Sequence, residues 1–209
     1  MLSREEILQI FEKRGAILNG HFVYRSKRHG NVYVDKDLIY PFVDDMHKLC
    51  ESLTMWFGIE ILSQTKAVIG PATGGIILSG VMADCLARWQ RREVLAIYAR
   101  KMPDKENFFL KKRYEELIAR KRVILADDVL NSGGSLRRLA EPVRNARAEI
   151  LGAAVLVNRG NVNAKQLGIP RLHSLIELPF DSWPADNCPL CAQGIPINTE
   201  VGKRVEYSK

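Results

Sequence analysis

The chain has 209 residues, with 31 Lys and Arg against 24 Asp and Glu for a formal charge of +7, and 46% of it is hydrophobic. That is the size of one α/β domain with small additions and a full core, and no stretch reaches the ~20 consecutive apolar residues of a membrane span. A positive balance suits a polyanion, and because no helix-turn-helix, zinc-finger or RNP-type pattern is visible, a small polyanionic substrate is the better reading than nucleic acid.

In chain order, Ser3-Arg4-Glu5-Glu6 reads as a capping box, so the N-terminus opens an amphipathic helix instead of a secretory signal. That helix carries Ile7, Ile10 and Phe11 on one face, and the expected location is cytoplasmic. Residues 20–24 and 32–35 read as short strands joined by the basic turn 26–31. Two strands this short need support, so they are expected to form a hood over the main domain. Residues 44–57 show apolar side chains at helical spacing, predicting a helix on one face of a sheet.

Lys66-Ala67-Val68-Ile69 reads as a buried strand that ends at Gly70-Pro71-Ala72-Thr73-Gly74-Gly75. Residues 76–89 are apolar nearly all round, which predicts a buried helix. A third strand, 94–99, leads into a basic stretch from Arg100 to Tyr114. Pro103, the charges and the lack of clean periodicity predict a mobile, partly extended lid there.

The centre of the chain is Val123-Ile124-Leu125-Ala126-Asp127-Asp128-Val129-Leu130-Asn131-Ser132-Gly133-Gly134-Ser135. Its uninterrupted apolar run reads as a strand buried on both faces, as in a parallel sheet. Two carboxylates stand at the carboxyl end of that run, followed by paired glycines, and Ser135 is the expected cap of a helix reaching Ala146. Glycines let backbone N–H groups approach a phosphate, and the helix dipole adds partial positive charge. The carboxylates suit hydroxyls or a metal-bound sugar. Two strand, glycine-loop and helix-start units in one small domain suit a substrate with a phosphate at one end and a pyrophosphate at the other. Asn158-Arg159-Gly160-Asn161 follows the strand 150–157 on the same edge, where an Arg can hold a planar carboxylate through two parallel hydrogen bonds. Residues 172–178 are the last strand, and a polar tail follows.

Cys50 and Cys85 fall in apolar helical patterns and read as small core residues. Cys188-Pro189-Leu190-Cys191 has the spacing of half a zinc site. No second Cys/His pair with ligand spacing is visible, and His21, His29, His47 and His173 are scattered, so a reduced structural turn is the default reading of the knuckle and a bound metal is the alternative.

The central stretch resembles the signature of the type I phosphoribosyltransferases, which bind phosphoribosyl pyrophosphate (PRPP). The resemblance narrows to the orotate phosphoribosyltransferases through Gly15-Ala16-Ile17-Leu18-Asn19-Gly20-His21-Phe22, Ser26-Lys27-Arg28-His29-Gly30, the 70–75 loop, Leu110-Lys111-Lys112-Arg113-Tyr114, Asn158-Arg159-Gly160 and the segment from Cys188 to Pro196. It implies an α/β fold with a central parallel sheet flanked by helices, a hood built mainly from 15–40 plus the C-terminal segment, and a lid near 100–114. It also implies transfer of ribose 5-phosphate from PRPP to orotate, with Mg²⁺ held mainly by PRPP and no side-chain metal ligand of its own.

The same resemblance implies roles for individual residues. Asp127 and Asp128 would contact the ribose hydroxyls, Val129 and Leu130 would contribute to PRPP binding, and Asn131, Ser132, Gly133, Gly134 and Ser135 would cradle the 5′-phosphate. Thr73, Gly74 and Gly75 would face the pyrophosphate. Lys101, with Arg100 and Lys105, would reach it from the lid, across the interface of a homodimer. Arg25, Tyr33, Val34, Asn131 and Arg159 would frame orotate. Lys27, Gly30, Asn131 and the lid's Lys105-Glu106-Asn107 depart from the family's usual residues. The alternatives are a phosphoribosyltransferase for another nucleobase and a non-catalytic PRPP-binding regulator that also binds nucleic acid.

Overall fold

The computed structural model describes residues 1–24, 26–103, 107–178 and 181–201. They fall into two compact units: Met1–Ile7 with Phe42–Leu178, and Leu8–Pro41 with the described residues after 180. Helix α1 (Arg4–Lys13) spans the first division. Its capping box forms as expected, with Ser3 N donating to Glu6 Oε2 at 2.7 Å and Glu6 N donating to Ser3 Oγ at 3.2 Å. Ile7 and Phe11 are buried, and Ile10 is half-buried. Strands β1 (Ile17–Val23) and β2 (His29–Val34) follow.

The larger unit runs through α2 (Val43–Met55), α3 (Gly58–Gln64), β3 (Ala67–Pro71), α4 (Gly75–Gln90), β4 (Leu95–Lys101), β5 (Phe108–Phe109) and α5 (Lys112–Ile118). It continues with β6 (Arg122–Leu130), α6 (Gly134–Asn145), β7 (Glu149–Asn158), α7 (Ala164–Leu167) and β8 (Leu172–Glu177). Its sheet has the order β5-β4-β3-β6-β7-β8, parallel except for β5. Side chains alternate across this sheet. Ala67, Ile69, Val123, Leu125, Ala153 and Val155 share one core with Leu136, Leu139, Ala140 and Val143 of α6. Val68 and Ile124, one residue out of step, are fully buried toward the opposite face, where α2 packs on α4. Cover on both faces explains why all of β7 except Glu149 is buried. Each fully buried Leu or Ile in such a layer contributes ~1.5–3 kcal/mol.

Several expectations are corrected by this packing. Helix α4 is not buried all round: Leu78, Met82 and Leu86 meet the core, whereas Ile77 and Trp89 are 44% and 38% exposed. A helix laid on a sheet turns only one stripe inward. The basic stretch is more regular than an open loop. Arg100 pairs with Phe109 and Lys101 with Phe108 in an antiparallel hairpin, and residues from 112 onward are helical. Phe108 and Leu110 anchor it by burying in the core, a signal hidden by the surrounding charges. The helices α3 and α7 were not anticipated; α7 is one short turn with its own capping box on Asn163. The cap of α6 is Gly133, not Ser135, which lies inside the first turn. Gly133 has φ +74°, and a Cβ there would come within 2.5 Å of Leu167 Cδ2, so a glycine is required.

In the smaller unit, β1 and β2 pair antiparallel with a bulge between Asn19 and Phe22. The strands are longer than expected, and His29 and Gly30 lie in β2 instead of the turn. A Cβ on Gly30 would meet the Tyr24 hydroxyl oxygen at 2.1 Å, so the departure at this position is set by packing. The polar tail supplies the third strand, β9 (Ser182–Trp183), paired with β2, and the short helix α8 (Pro189–Ala192). Beyond α8, Asn198 N donates to the His21 carbonyl at 2.7 Å. Phe11, Ala16, Phe22, Val34 and Ile39 are among the buried residues of this unit. No helix among the described residues is long and apolar enough to cross a membrane.

Candidate active site

The parallel strands bring their carboxyl ends to one edge. After β3 the chain crosses to β4 on one side, while β6 lies on the other, so the crevice between β3 and β6 is the switch point of the sheet. Ligands of open α/β sheets bind at that position. Strand β6 continues through the acid pair to Leu130 and so carries both carboxylates to this edge on a rigid element. Asp127 is buried, with 5% exposure, and Asp128 is half-buried. The pair is held locally: Asp128 N donates to Asp127 Oδ1 at 3.0 Å, and Val129 N donates to Asp128 Oδ1 at 2.6 Å.

The loop after β3 closes directly on the acid pair. A Cβ on Gly74 would lie 2.0 Å from Asp128 Oδ2, and one on Gly75 would lie 2.8 Å from the Ala126 carbonyl oxygen. Only glycine lets the loop and the carboxylate share this space. Thr73 is exposed beside them, and the Ala72–Thr73 peptide is cis. Gly74 and Gly133 are the N-caps of α4 and α6. Neither has a side-chain oxygen for the first-turn N–H groups, so both helix starts present backbone donors and partial positive charge suited to an anion.

Across β6, the Leu130 carbonyl accepts from Arg159 N at 2.8 Å and Gly160 N at 3.2 Å. This ties the loop after β7 to the central motif. A Cβ on Gly160 would fall 1.4 Å from the Asn131 carbonyl oxygen, so these loops touch through their backbones. Buried Asn158 shapes the same loop by donating to Val162 O at 2.9 Å and accepting from Val162 N at 3.2 Å. Asn131 and Ser132 are exposed, Ser135 is half-buried, and the Leu130 side chain belongs to the core and offers the site only backbone.

Arg100 and Lys101 stand exposed at the end of β4. The Arg100 guanidinium carbon lies 6.0 Å from the Tyr98 ring centroid, and the hydrogen bond from Arg100 holds the Tyr98 hydroxyl below the usual phenol range. The larger unit thus assembles Thr73, Gly74, Gly75, Arg100, Lys101, the 127–135 stretch and Arg159 along one sheet edge. Tyr33 and Val34 lie on β2 of the smaller unit, with the Tyr33 ring 5.6 Å from that of Phe22. Arg25 and Lys105 lie outside the described residues.

The model of the phosphoribosyl transferase domain family matches residues 45–184. The chain belongs to that family. Orotate phosphoribosyltransferase from Pelotomaculum thermopropionicum is 37% identical over 93% of this chain and 95% of its own length. The enzyme of the same name from Desulforamulus reducens is 34% identical over 93% of this chain and 95% of its own length. Among solved structures, orotate phosphoribosyltransferase from Aeropyrum pernix aligns with a TM-score of 0.65 at 27% identity, covering 82% of this chain and 93% of that one. These full-length likenesses put the chain in the orotate branch of the phosphoribosyltransferases.

Two further features of this phosphoribosyltransferase were not read from the sequence. Arg138, one turn into α6, reaches back so that its Nη1 would lie 3.0 Å from a Cβ on Gly134. Its Nε is buried and makes no hydrogen bond among the described residues. The sequence signal was the Arg137-Arg138 pair, which helical spacing alone marks as surface charge. The second is in the smaller unit: His21 and His29 lie beside Cys188 and Cys191 and supply the second pair that linear spacing lacked.

Proposed function

We propose that the chain transfers ribose 5-phosphate from PRPP to orotate, releasing pyrophosphate and giving orotidine 5′-phosphate. The observation that carries this reading is the Asp127–Asp128 pair at the switch point, with the Gly74 loop packed against Asp128 between two glycine-capped helix starts. A ribose carrying phosphate at C5 and pyrophosphate at C1 has hydroxyls for the carboxylates and an anion for each of the two helix starts. The full-length relatives named for the same reaction support orotate as the base.

Asp127 and Asp128 accept hydrogen bonds from the ribose hydroxyls and stabilise the positive charge that develops at C1 as pyrophosphate departs. Backbone N–H groups of 131–135, with Arg138 beside them, hold the 5′-phosphate. Thr73, Gly74, Gly75 and the hairpin cations Arg100 and Lys101 face the leaving pyrophosphate. Arg159 takes the orotate carboxylate through its planar guanidinium; for Arg25, Tyr33 and Val34 the support for a role toward the base is the family resemblance alone. The base nitrogen attacks C1 from the face opposite the leaving group and inverts it. Positioning and electrostatics supply the rate, so no covalent nucleophile is required.

Hard oxygen donors suit Mg²⁺, and Asp128, which lies against the Gly74 loop, would help hold a Mg²⁺–PRPP complex. When bound, the ion would neutralise charge on the leaving pyrophosphate. The reading includes a cytoplasmic homodimer in which the Lys101 hairpin serves the neighbouring copy; its support is the family resemblance and the exposed cations at the hairpin base.

Pyrophosphate release from PRPP and Mg²⁺, measured with orotate, adenine, guanine, hypoxanthine and uracil in turn, tests the proposal. Release with orotate alone is the expected result. Release with another base instead would assign the chain to that base, and silence with every base would overturn an enzymatic role.

A further inference from the structure

We propose that the smaller unit contains a structural Cys₂His₂ zinc site formed by His21, His29, Cys188 and Cys191. The four side chains offer one ligand atom each, and all four atoms lie within 4.8 Å of one another. Cys188 Sγ is 3.6 Å from His21 Nε2, Cys191 Sγ is 3.7 Å from the same atom, and Cys191 Sγ is 3.4 Å from His29 Nδ1. With Zn–S near 2.3 Å and Zn–N near 2.0–2.1 Å, a tetrahedron has N···S edges of roughly 3.5 Å. The observed edges bracket that value. The two histidine nitrogens are closer, at 2.8 Å, so seating the ion opens that edge by roughly half an ångström.

The protein also orients the ligands. His21 Nδ1 lies 2.7 Å from the Ile195 carbonyl oxygen. A carbonyl only accepts, so Nδ1 carries the proton and Nε2 turns its lone pair toward the cluster. Such an outer hydrogen bond fixes the tautomer of metal-binding histidines. His21, His29 and Cys188 are 2%, 7% and 4% exposed, whereas Cys191 is exposed and leaves a path for the ion. Two sulfur and two nitrogen donors favour zinc over Mg²⁺ or Ca²⁺.

The chain positions of the ligands explain what the ion does. His21 and His29 come from neighbouring strands of the β1–β2 hairpin, whereas Cys188 is the N-cap of the one-turn helix α8 and Cys191 lies within it. Coordination therefore fastens the C-terminal segment to the N-terminal hairpin. In the sheet, β9 contributes only two residues to the same attachment. A small unit with few buried side chains gains most from such a clip, because metal binding free energy becomes folding free energy.

The test is metal analysis of the intact purified chain, followed by chelation and titration with Co²⁺ in millimolar Mg²⁺. The expected result is about one zinc ion per chain, and on titration the visible bands of tetrahedral Co²⁺ with a thiolate-to-metal charge-transfer band. Cys191→Ser should lose the charge-transfer intensity of one thiolate and weaken metal affinity by at least ~100-fold. If that variant does not fold, the wild-type titration alone decides. A protein that purifies with reduced cysteines, holds no metal and develops no Co²⁺ bands would overturn the proposal. So would a Cys188–Cys191 disulfide that persists when zinc is supplied with reductant.

Discussion

The acid pair and the Cys–His cluster reach their geometry by opposite routes. Asp127 and Asp128 are sequence neighbours at the end of an apolar strand, and a parallel sheet carries any such residues to its carboxyl edge. His21 and Cys188 are 167 residues apart and meet only because an antiparallel hairpin collects the far end of the chain. The first arrangement is encoded locally and supported by a large core; the second is long-range and rests on a small one. A chemistry-bearing motif can therefore be read directly when one strand presents it. Ligands gathered from separate segments cannot.

The comparison implies that the two regions fail independently. Asp128→Asn keeps the shape but removes the negative charge proposed to face the ribose C1, and turnover should fall by on the order of 10²- to 10³-fold. Thermal melting and metal content should stay at wild-type values. A matching fall in melting temperature would mean that the acid pair holds the fold together instead.

Gly74→Ala attacks the same site through packing. The new methyl occupies the space of Asp128 Oδ2, and a short side chain yields more easily than backbone, so the carboxylate swings away. Misplacement by about 1 Å should lower kcat by roughly 10²-fold with little change in stability. Wild-type kinetics for this variant would show that Asp128 need not sit against the loop.

Arg138→Ala removes a positive charge beside the α6 start. Charge-assisted hydrogen bonds contribute about 1.5–3 kcal/mol, so the KM for PRPP should rise at least ~10-fold while orotate binding is unaffected. Equal losses for both substrates in steady-state kinetics would place Arg138 in the scaffold.

The smallest effect concerns acid stability. His173 stacks on Trp56 with centroids 4.5 Å apart, and burial lowers its pKa to about 4. The unfolded chain takes up this proton near pH 6.5, before the folded chain does, so stability from this site is full above about pH 6.5 and declines toward pH 4. His173→Phe keeps a ring on Trp56 and should flatten that slope in pH-dependent melting. An unchanged slope would show that the acid limb does not come from His173.

The sequence made the larger unit legible because its signals are local. An apolar run, an acid pair and paired glycines identify a strand, a site and a helix start within a few residues. The hairpin at Phe108–Phe109 was hidden because its buried anchors, Phe108 and Leu110, sit inside a charged stretch. Ser135 reads as the cap because a side-chain oxygen is the commoner device, whereas this turn needs the positive φ of Gly133. The contact of Gly74 with Asp128 and the reach of Arg138 depend on how adjacent loops and turns pack. The tail read as polar filler because β9 is two residues long, and the partners of Cys188 and Cys191 lie at the other end of the chain.

The most direct measurement is the fall in orotate absorbance when PRPP and Mg²⁺ are added to purified protein, run beside Asp128→Asn. The account predicts steady consumption by the wild type, matched by pyrophosphate, and a trace at the limit of detection for the variant. Consumption at equal rates by both proteins would contradict the role of the acid pair. No consumption by a folded wild type that binds PRPP would contradict the assignment of orotate.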